Sequence, residues 1–229
     1  MRPEKRRSTR VRRKPTLRAS SRHHSEVSSS ARAEAGCVQS FHRQMEHMKD
    51  VTSPHFNKGT LPLAFVFSVP GAVELREKKP VAGDTGMNLT LALRFLVSKE
   101  PNLFTSSDRY GYRISNAFDE PMAASLKSGA SEAKASQILE PGNVKRVVEE
   151  LQGCGLVVLC GRKAQLLTKE IERAGMTVVH AWHTGNRALI AKYQGEDVAR
   201  ASTALARQEL RAQEWAKDLL VAIRAVRAA

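Results

Sequence analysis

The chain has 229 residues, enough for one substantial core with room for tails, and carries a net charge of +14 with a pI near 10.1. That balance points to a polyanionic partner, nucleic acid or an acidic membrane surface, while aromatics at 5% speak against an RNA-recognition sheet built for stacking. Cys37, Cys154 and Cys160 form no CxxC pair, which argues against a disulfide scaffold and a zinc or iron–sulfur site, and no run approaches a membrane span.

The charge is concentrated at the start. Residues 1–32 hold eleven Lys and Arg against Glu4 and Glu26, are rich in Ser and almost lack apolar side chains. Such a segment cannot offset its ordering entropy by burial, so it is expected to be a disordered basic arm. The arm reads as a contact for DNA phosphates, as an Arg-rich targeting segment, or as a solvated tail.

The remainder, 33–229, reads as one α/β domain. Gly36–Asp50 has helical character. Leu63–Ser68 is a short apolar run of strand type, followed by a Pro70-Gly71 turn. The segment Pro80-Val81-Ala82-Gly83-Asp84-Thr85-Gly86 is a Gly-rich loop, and an amphipathic helix runs from about Met87 to Ser98. Gly111–Ala117 is a second strand, and Asn143–Gln152 a helix with Val147, Val148 and Leu151 on one face. Gly155–Leu159 is a third strand, Ala164–Ala174 a helix ended by Gly175, and Met176–His180 a fourth strand. Ala199–Val226 reads as one long terminal helix. Alternating strands and helices predict a three-layer α/β/α sandwich around a mainly parallel four-stranded sheet. Ligands of such sheets bind at the carboxyl ends of the strands, where Ser68, Asn116 and His183 all fall. A strand feeding a Gly-rich loop and a helix N-terminus also sets backbone N–H groups where an anion could sit.

Other patterns are set aside. Cys160-Gly161-Arg162-Lys163 lacks the first glycine of a P-loop. The His42/His47 and His180/His183 pairs lack zinc-helix spacing, and His23-His24 lies in the arm.

The order and spacing of three motifs resemble the uracil-DNA glycosylase superfamily, nearest in layout to its iron–sulfur branch. The first is Phe67-Ser68-Val69-Pro70-Gly71 with Pro80–Gly86, the second Ile114-Ser115-Asn116, and the third His183-Thr184-Gly185. The resemblance covers roughly Leu61–Leu189. It implies that His183 donates to the base oxygen and Asn116 reads the base edge. It implies that Gly71, Gly83, Thr85, Gly86 and Gly185 bring the backbone to DNA phosphates, and that Arg187 fills the vacated stack. A plain reading of the residues instead makes His183 the cap of a strand-to-loop turn and Asn116 a turn-stabilising amide.

The departures from the family pattern carry information. Ser68 stands where the family has an acid, so Glu74 and then Asp84 are the candidate catalytic carboxylates; Asp84 also reads as a helix N-terminal residue. Val81 stands where the family has an aromatic that stacks on the flipped base, which opens the base pocket. The cluster cysteines are absent, so no metal cofactor is expected. The resemblance thus implies a DNA glycosylase that flips out and excises a damaged or modified pyrimidine, one version being defence against bacteriophage with modified DNA. Ordinary uracil repair is the alternative within enzymes, and a catalytically inactive DNA-binding module the alternative outside them. A basic scaffold or ribosome-associated protein would explain the tail alone. DNA is the expected partner, the expected location is cytoplasmic and nucleoid-associated unless the arm is a targeting signal, and the oligomeric state stays open.

Deleting residues 1–32 should weaken DNA binding and flatten its salt dependence, because fewer counterions are released. Base choice should not change, since phosphate contacts position without specifying. Titrations at several salt concentrations measure both; an unchanged slope makes the arm a bystander.

Overall fold

The computed structural model describes residues 53–126 and 129–228. The basic arm, Cys37, the histidines at 23, 24, 42 and 47 and the expected helix at Gly36–Asp50 lie outside the described residues.

Four strands form one all-parallel sheet: β1 (Leu63–Phe67), β2 (Arg113–Asn116), β3 (Leu156–Cys160) and β4 (Thr177–Ala181), in the order β2-β1-β3-β4. In register, Phe65 faces Ile114 and Val158, and Val158 faces Val179. Both β1 and β3 are buried along their whole length. Hence each reads as a continuous apolar run, the pattern of a parallel strand covered on both sides.

The helices complete three layers. One face of the sheet, with Phe65, Phe67, Ile114, Val158 and Val179, packs on α2 (Asp84–Lys99) and on the terminal α8 (Ala204–Ala228). The opposite face, with Ala64, Val66, Val157 and Leu159, packs on α3 (Ala135–Ile138), α4 (Pro141–Leu151) and α5 (Thr168–Arg173). Residues alternate between the two faces along each strand, as the period of two requires. Short helices α1 (Ala72–Glu77), α6 (Asn186–Lys192) and α7 (Glu196–Arg200) complete the set.

The expected strands hold to within a residue or two. The strand expected over Gly111–Ala117 is shorter, because Arg109–Gly111 closes a 3₁₀ turn capped by the Asp108 side chain. The helix at 141–151 starts at Pro141, and Glu140 Oε2 accepts the Asn143 amide at 2.9 Å. Pro at the first helical position gives up a donor that would be unpaired anyway. Three expectations need correction. The segment 164–174 is a 3₁₀ turn, Ala164–Leu167, before α5. The terminal segment is two helices, because Ala201 leaves α7 in an extended conformation and the Thr203 hydroxyl accepts the Ala206 amide at 3.1 Å to start α8. Helices α1, α3 and α6 were not expected: each spans four to seven residues, too short to display a periodic apolar face.

The winding of the chain, not the direction of its strands, reverses between β1 and β3. From β1 the chain crosses one face of the sheet to β2, whereas from β3 it crosses the other face to β4. The carboxyl ends of β1 and β3 therefore flank a crevice at the switch point. Trp215 of α8, only 1% exposed, holds the chain beside it by donating its indole N–H to the Trp182 carbonyl at 2.7 Å, just beyond β4. Among the described residues no helix is long and apolar enough to cross a membrane.

Trp215→Ala should cost about 3–5 kcal/mol, from lost burial and an unpaired carbonyl. Urea unfolding followed by circular dichroism measures it.

Candidate functional site

A cleft of about 880 Å³ opens at the switch point. The ends of all four strands line it: Phe67 and Ser68 after β1, Asn116 of β2, Cys160 and Gly161 at β3, and Trp182 and His183 after β4. Glu74, Val81, Asp84, Thr85, Gly71, Gly185 and Arg187 also line it. Segments more than a hundred residues apart thus meet in one site. Of the sequence-predicted residues, only Gly83 and Gly86 stand behind the wall.

Asn116 ends β2 and is 2% exposed. Its side-chain oxygen is buried and has no hydrogen-bond partner. A polar atom left this way costs about 1–3 kcal/mol, so the arrangement calls for a reason other than stability. The main chain at Asn116, by contrast, is tightly held. Arg146 of α4 donates to its carbonyl at 3.1 Å and to Asn143 Oδ1 at 2.7 Å. Arg146 also pairs with Glu150 Oε2, and the same oxygen accepts the Ser115 hydroxyl at 2.7 Å. Burial pushes the Glu150 carboxyl up, but His55, Arg146 and Ser115 outweigh it and leave it below its ordinary range. The strand end is clamped from beneath while the amide oxygen stays free.

His183 follows β4. The Gly185 amide donates to its Nδ1 at 2.9 Å, which leaves the ring proton of the neutral form on Nε2. The turn-capping reading of His183 is therefore accurate for one nitrogen, and the cap fixes the tautomer of the other. Burial pushes the imidazole below its ordinary pKa, while the charges of Glu132 and Glu74 pull the other way. The ring packs edge-on against Phe67, with centroids 5.6 Å apart. A Cβ at Gly161 would lie 3.1 Å from the His183 Cβ, and one at Gly185 would lie 2.9 Å from Nδ1. Both glycines therefore make room for the imidazole.

Glu74 sits in the first turn of α1 and bridges the two halves of the loop. Its carboxylate accepts the Gly71 amide at 3.0 Å and the Gly83 amide at 3.3 Å. Where the resemblance expects the amides of Gly71 and Gly83 to reach phosphate, both are engaged by Glu74 in this structure. The Gly185 amide is likewise engaged, by His183. Gly86 has a steric role, because a Cβ there would lie 1.7 Å from the Val81 carbonyl oxygen. Val81 is 4% exposed and adopts φ 44°, a left-handed conformation rarely taken by a β-branched residue. Such strain gathers at functional sites.

Asp84 is exposed at the first position of α2 and accepts from the Asn186 side chain at 2.8 Å. Asn186 belongs to a polar network the sequence did not reveal. Buried Asn88 donates to the Thr184 carbonyl at 2.7 Å and to Asn186 Oδ1 at 2.8 Å, and accepts from Gln208 of α8 at 2.7 Å. Thr184 returns a bond to the Thr85 carbonyl at 3.0 Å. The loop carrying His183 and the start of α2 are thereby tied together.

Sequence reasoning also missed Met122, Glu132, Arg162, Lys163 and Trp182 in the cleft lining. Arg162 and Lys163 lie in the Cys160–Lys163 pattern set aside above, and only strand-end placement of Trp182 and Arg162 could have signalled them as lining. Among the described residues no group of three or more His, Cys, Asp or Glu could hold a metal ion. The chain matches no known protein family and none of the curated proteins.

His183 should be the neutral Nε2–H tautomer at pH 7, with its midpoint below the ordinary value of 6.5. The unfolded chain takes up that proton near the ordinary value and the folded chain only lower. Its contribution to stability is therefore complete above that pH and declines as pH falls towards the folded midpoint. Long-range nitrogen–proton NMR of labelled histidine reads the tautomer and the midpoint directly.

Proposed function

We propose that the cleft is the base pocket of a DNA glycosylase of the uracil-DNA glycosylase type. It takes a flipped pyrimidine nucleotide and hydrolyses the bond between the base and the sugar C1′. Water supplies the hydroxyl at C1′, the bonding pair leaves with the base, and the base takes up the proton. The product is an abasic site.

The observation that carries this reading is the buried, unpartnered Asn116 oxygen in the same cleft as a neutral histidine with its proton on Nε2. A pyrimidine edge offers an N–H donor, from N3 or from an exocyclic amino group, to fill the first. Its O2 accepts from the second. Negative charge grows on O2 as the bond breaks, so a donor held there is stronger in the transition state than in the ground state. A neutral imidazole packed edge-on against Phe67 suits that task.

The sugar develops positive charge and needs a negative neighbour. Glu74 supplies it: two backbone amides fix both oxygens on the cleft wall. Ser68, where the family carries an acid, cannot. Asp84 is turned to Asn186 and closes the loop instead. Arg187 and Arg162, both exposed on the lining, face the phosphates.

Val81 favours a modified pyrimidine over plain uracil, because a small side chain forms the wall where the family sets an aromatic. Removal of such bases from invading bacteriophage DNA is the biological setting that fits. Ordinary uracil repair is the second reading within this chemistry. The Ser68 departure favours the other class, an inactive DNA-binding module, and the same assay separates all three.

Incubating the protein with DNAs containing uracil or bulky modified pyrimidines and identifying the released bases by mass spectrometry tests the proposal. Release of a modified base is expected; uracil alone supports repair, and no release from any DNA sinks the enzyme reading. His183→Ala should lower the rate about 10²–10³-fold, the usual effect of losing one such donor. Asn116→Ala should abolish base release while the melting temperature holds or rises, since a buried unpaired oxygen is removed. A melting temperature that falls sharply would make Asn116 structural.

A further inference from the structure

We propose that Trp182 is a stacking platform for an unstacked nucleobase next to the flipped one, so that the cleft grips single-stranded DNA. The inference rests on the glycosylase reading for the flipped base, and on separate observations for the platform.

Trp182 lies immediately before His183, at the mouth of the cleft, and is 46% exposed. Large aromatic rings are rarely left so open without a partner. The main chain that carries this one is held in place. Its carbonyl accepts the indole N–H of buried Trp215, so the peptide carrying the ring is pinned to α8 from below. Lys192 of α6 stands over one face of the ring, 5.5 Å from its centroid. The ring also forms part of the cleft lining, in company with Arg162 and Arg187. Both arginines are exposed and, among the described residues, neither takes part in an ion pair.

An open aromatic ring bordered by unpaired cations has the chemistry of a single-strand site. The π-face takes any base, and the cations follow the backbone. A duplex offers no free base face, whereas a strand already opened beside the flipped nucleotide does. Single-stranded DNA also needs no unpairing before the target base enters the cleft, which favours its use as substrate.

The chain has two tryptophans, and the other, Trp215, is 1% exposed. Intrinsic fluorescence therefore reports on Trp182 when a ligand arrives. The full chain is titrated with short oligo(dT), with the matching oligo(dA)·oligo(dT) duplex and with oligo(rU), binding being followed in parallel by anisotropy of labelled strands. Oligo(dT) should quench the emission strongly and the duplex little. Trp182→Ala should lose the quenching and weaken oligo(dT) binding about tenfold, the effect of losing one stacked base. Trp182→Phe should lose the quenching yet keep most of the affinity, because a smaller ring still stacks. Both variants keep the backbone carbonyl that Trp215 uses, so their melting curves should match the wild type.

The proposal is overturned if saturating oligo(dT) leaves the emission unchanged, if the duplex quenches equally, or if the Ala and Phe variants weaken alike. Tighter binding of oligo(rU) than oligo(dT) would overturn it in favour of an RNA partner. Base release is measured on the same samples. Quenching without any released base refutes the glycosylase reading and leaves the platform standing; release without quenching refutes the platform alone.

Discussion

The side chain of Asn88 is the contact on which the geometry of the cleft depends. It is fully buried in α2, and its amide joins the Thr184 carbonyl, the Asn186 side chain and Gln208. Three elements distant in sequence are thereby fixed in relation to one another: the start of α2, the loop that carries His183, and α8. Buried in a low dielectric, such a network is rigid when complete and costly when one member is lost. An apolar residue at this position would fill the space but would take away the donor that the Thr184 carbonyl and Asn186 Oδ1 share. The loop after β4 would then keep the bonds from Trp215 to Trp182, from Thr184 to Thr85 and from Asn186 to Asp84, but would lose its tie to the interior of α2 and, through Gln208, to α8.

Around this joint the cleft sorts its polar groups into two kinds. Some are consumed by the fold: the amides of Gly71 and Gly83 by Glu74, Nδ1 of His183 by Gly185, and the Asn116 carbonyl by Arg146. Others are left facing inward, namely the Asn116 side-chain oxygen and the second histidine nitrogen. The structure thus uses main-chain groups and buried charges to hold side chains in place, and withholds two neutral hydrogen-bonding atoms from its own interior. That division fits the neutral, planar, amide-like base edge of the proposed reading. It differs from an anion site, which would keep the main-chain amides free instead.

Much of this was legible from the residues. Strands β1 and β3 announce themselves as runs of Val, Leu, Phe and Ala bounded by turn residues, and their placement puts Ser68, Asn116 and His183 at one end of a parallel sheet. Pro141 and Glu140 mark the start of α4 by rules that act over one turn. Contacts between side chains far apart in the chain were not legible. Asn88 looks like any polar residue on an amphipathic helix, and its partners lie about a hundred positions away. Glu74 was visible as a carboxylate near the turn but not as the bridge between two loop amides. Helix α6 hides because its apolar contact with the core is a single residue, Leu189. The break between α7 and α8 hides because Ala, Ser and Thr are each tolerated in a helix, and only the extended conformation of Ala201 and the cap at Thr203 end it.

Val81 sets two demands on one position against each other. A β-branched side chain at φ 44° is held there by the surrounding loop, and glycine or asparagine would adopt the same backbone at far less strain. The more comfortable residues, however, would remove an apolar wall from the cleft or replace it with a polar one. Random variation screened for heat resistance alone would be drawn to this position early and would gain stability there at the expense of the cleft's shape. A library meant to harden the protein without altering what enters its cleft should therefore hold Val81 fixed, together with Asn143, Arg146 and Glu150 beneath Asn116, and vary other residues on the far side of the sheet, among α3 and α5.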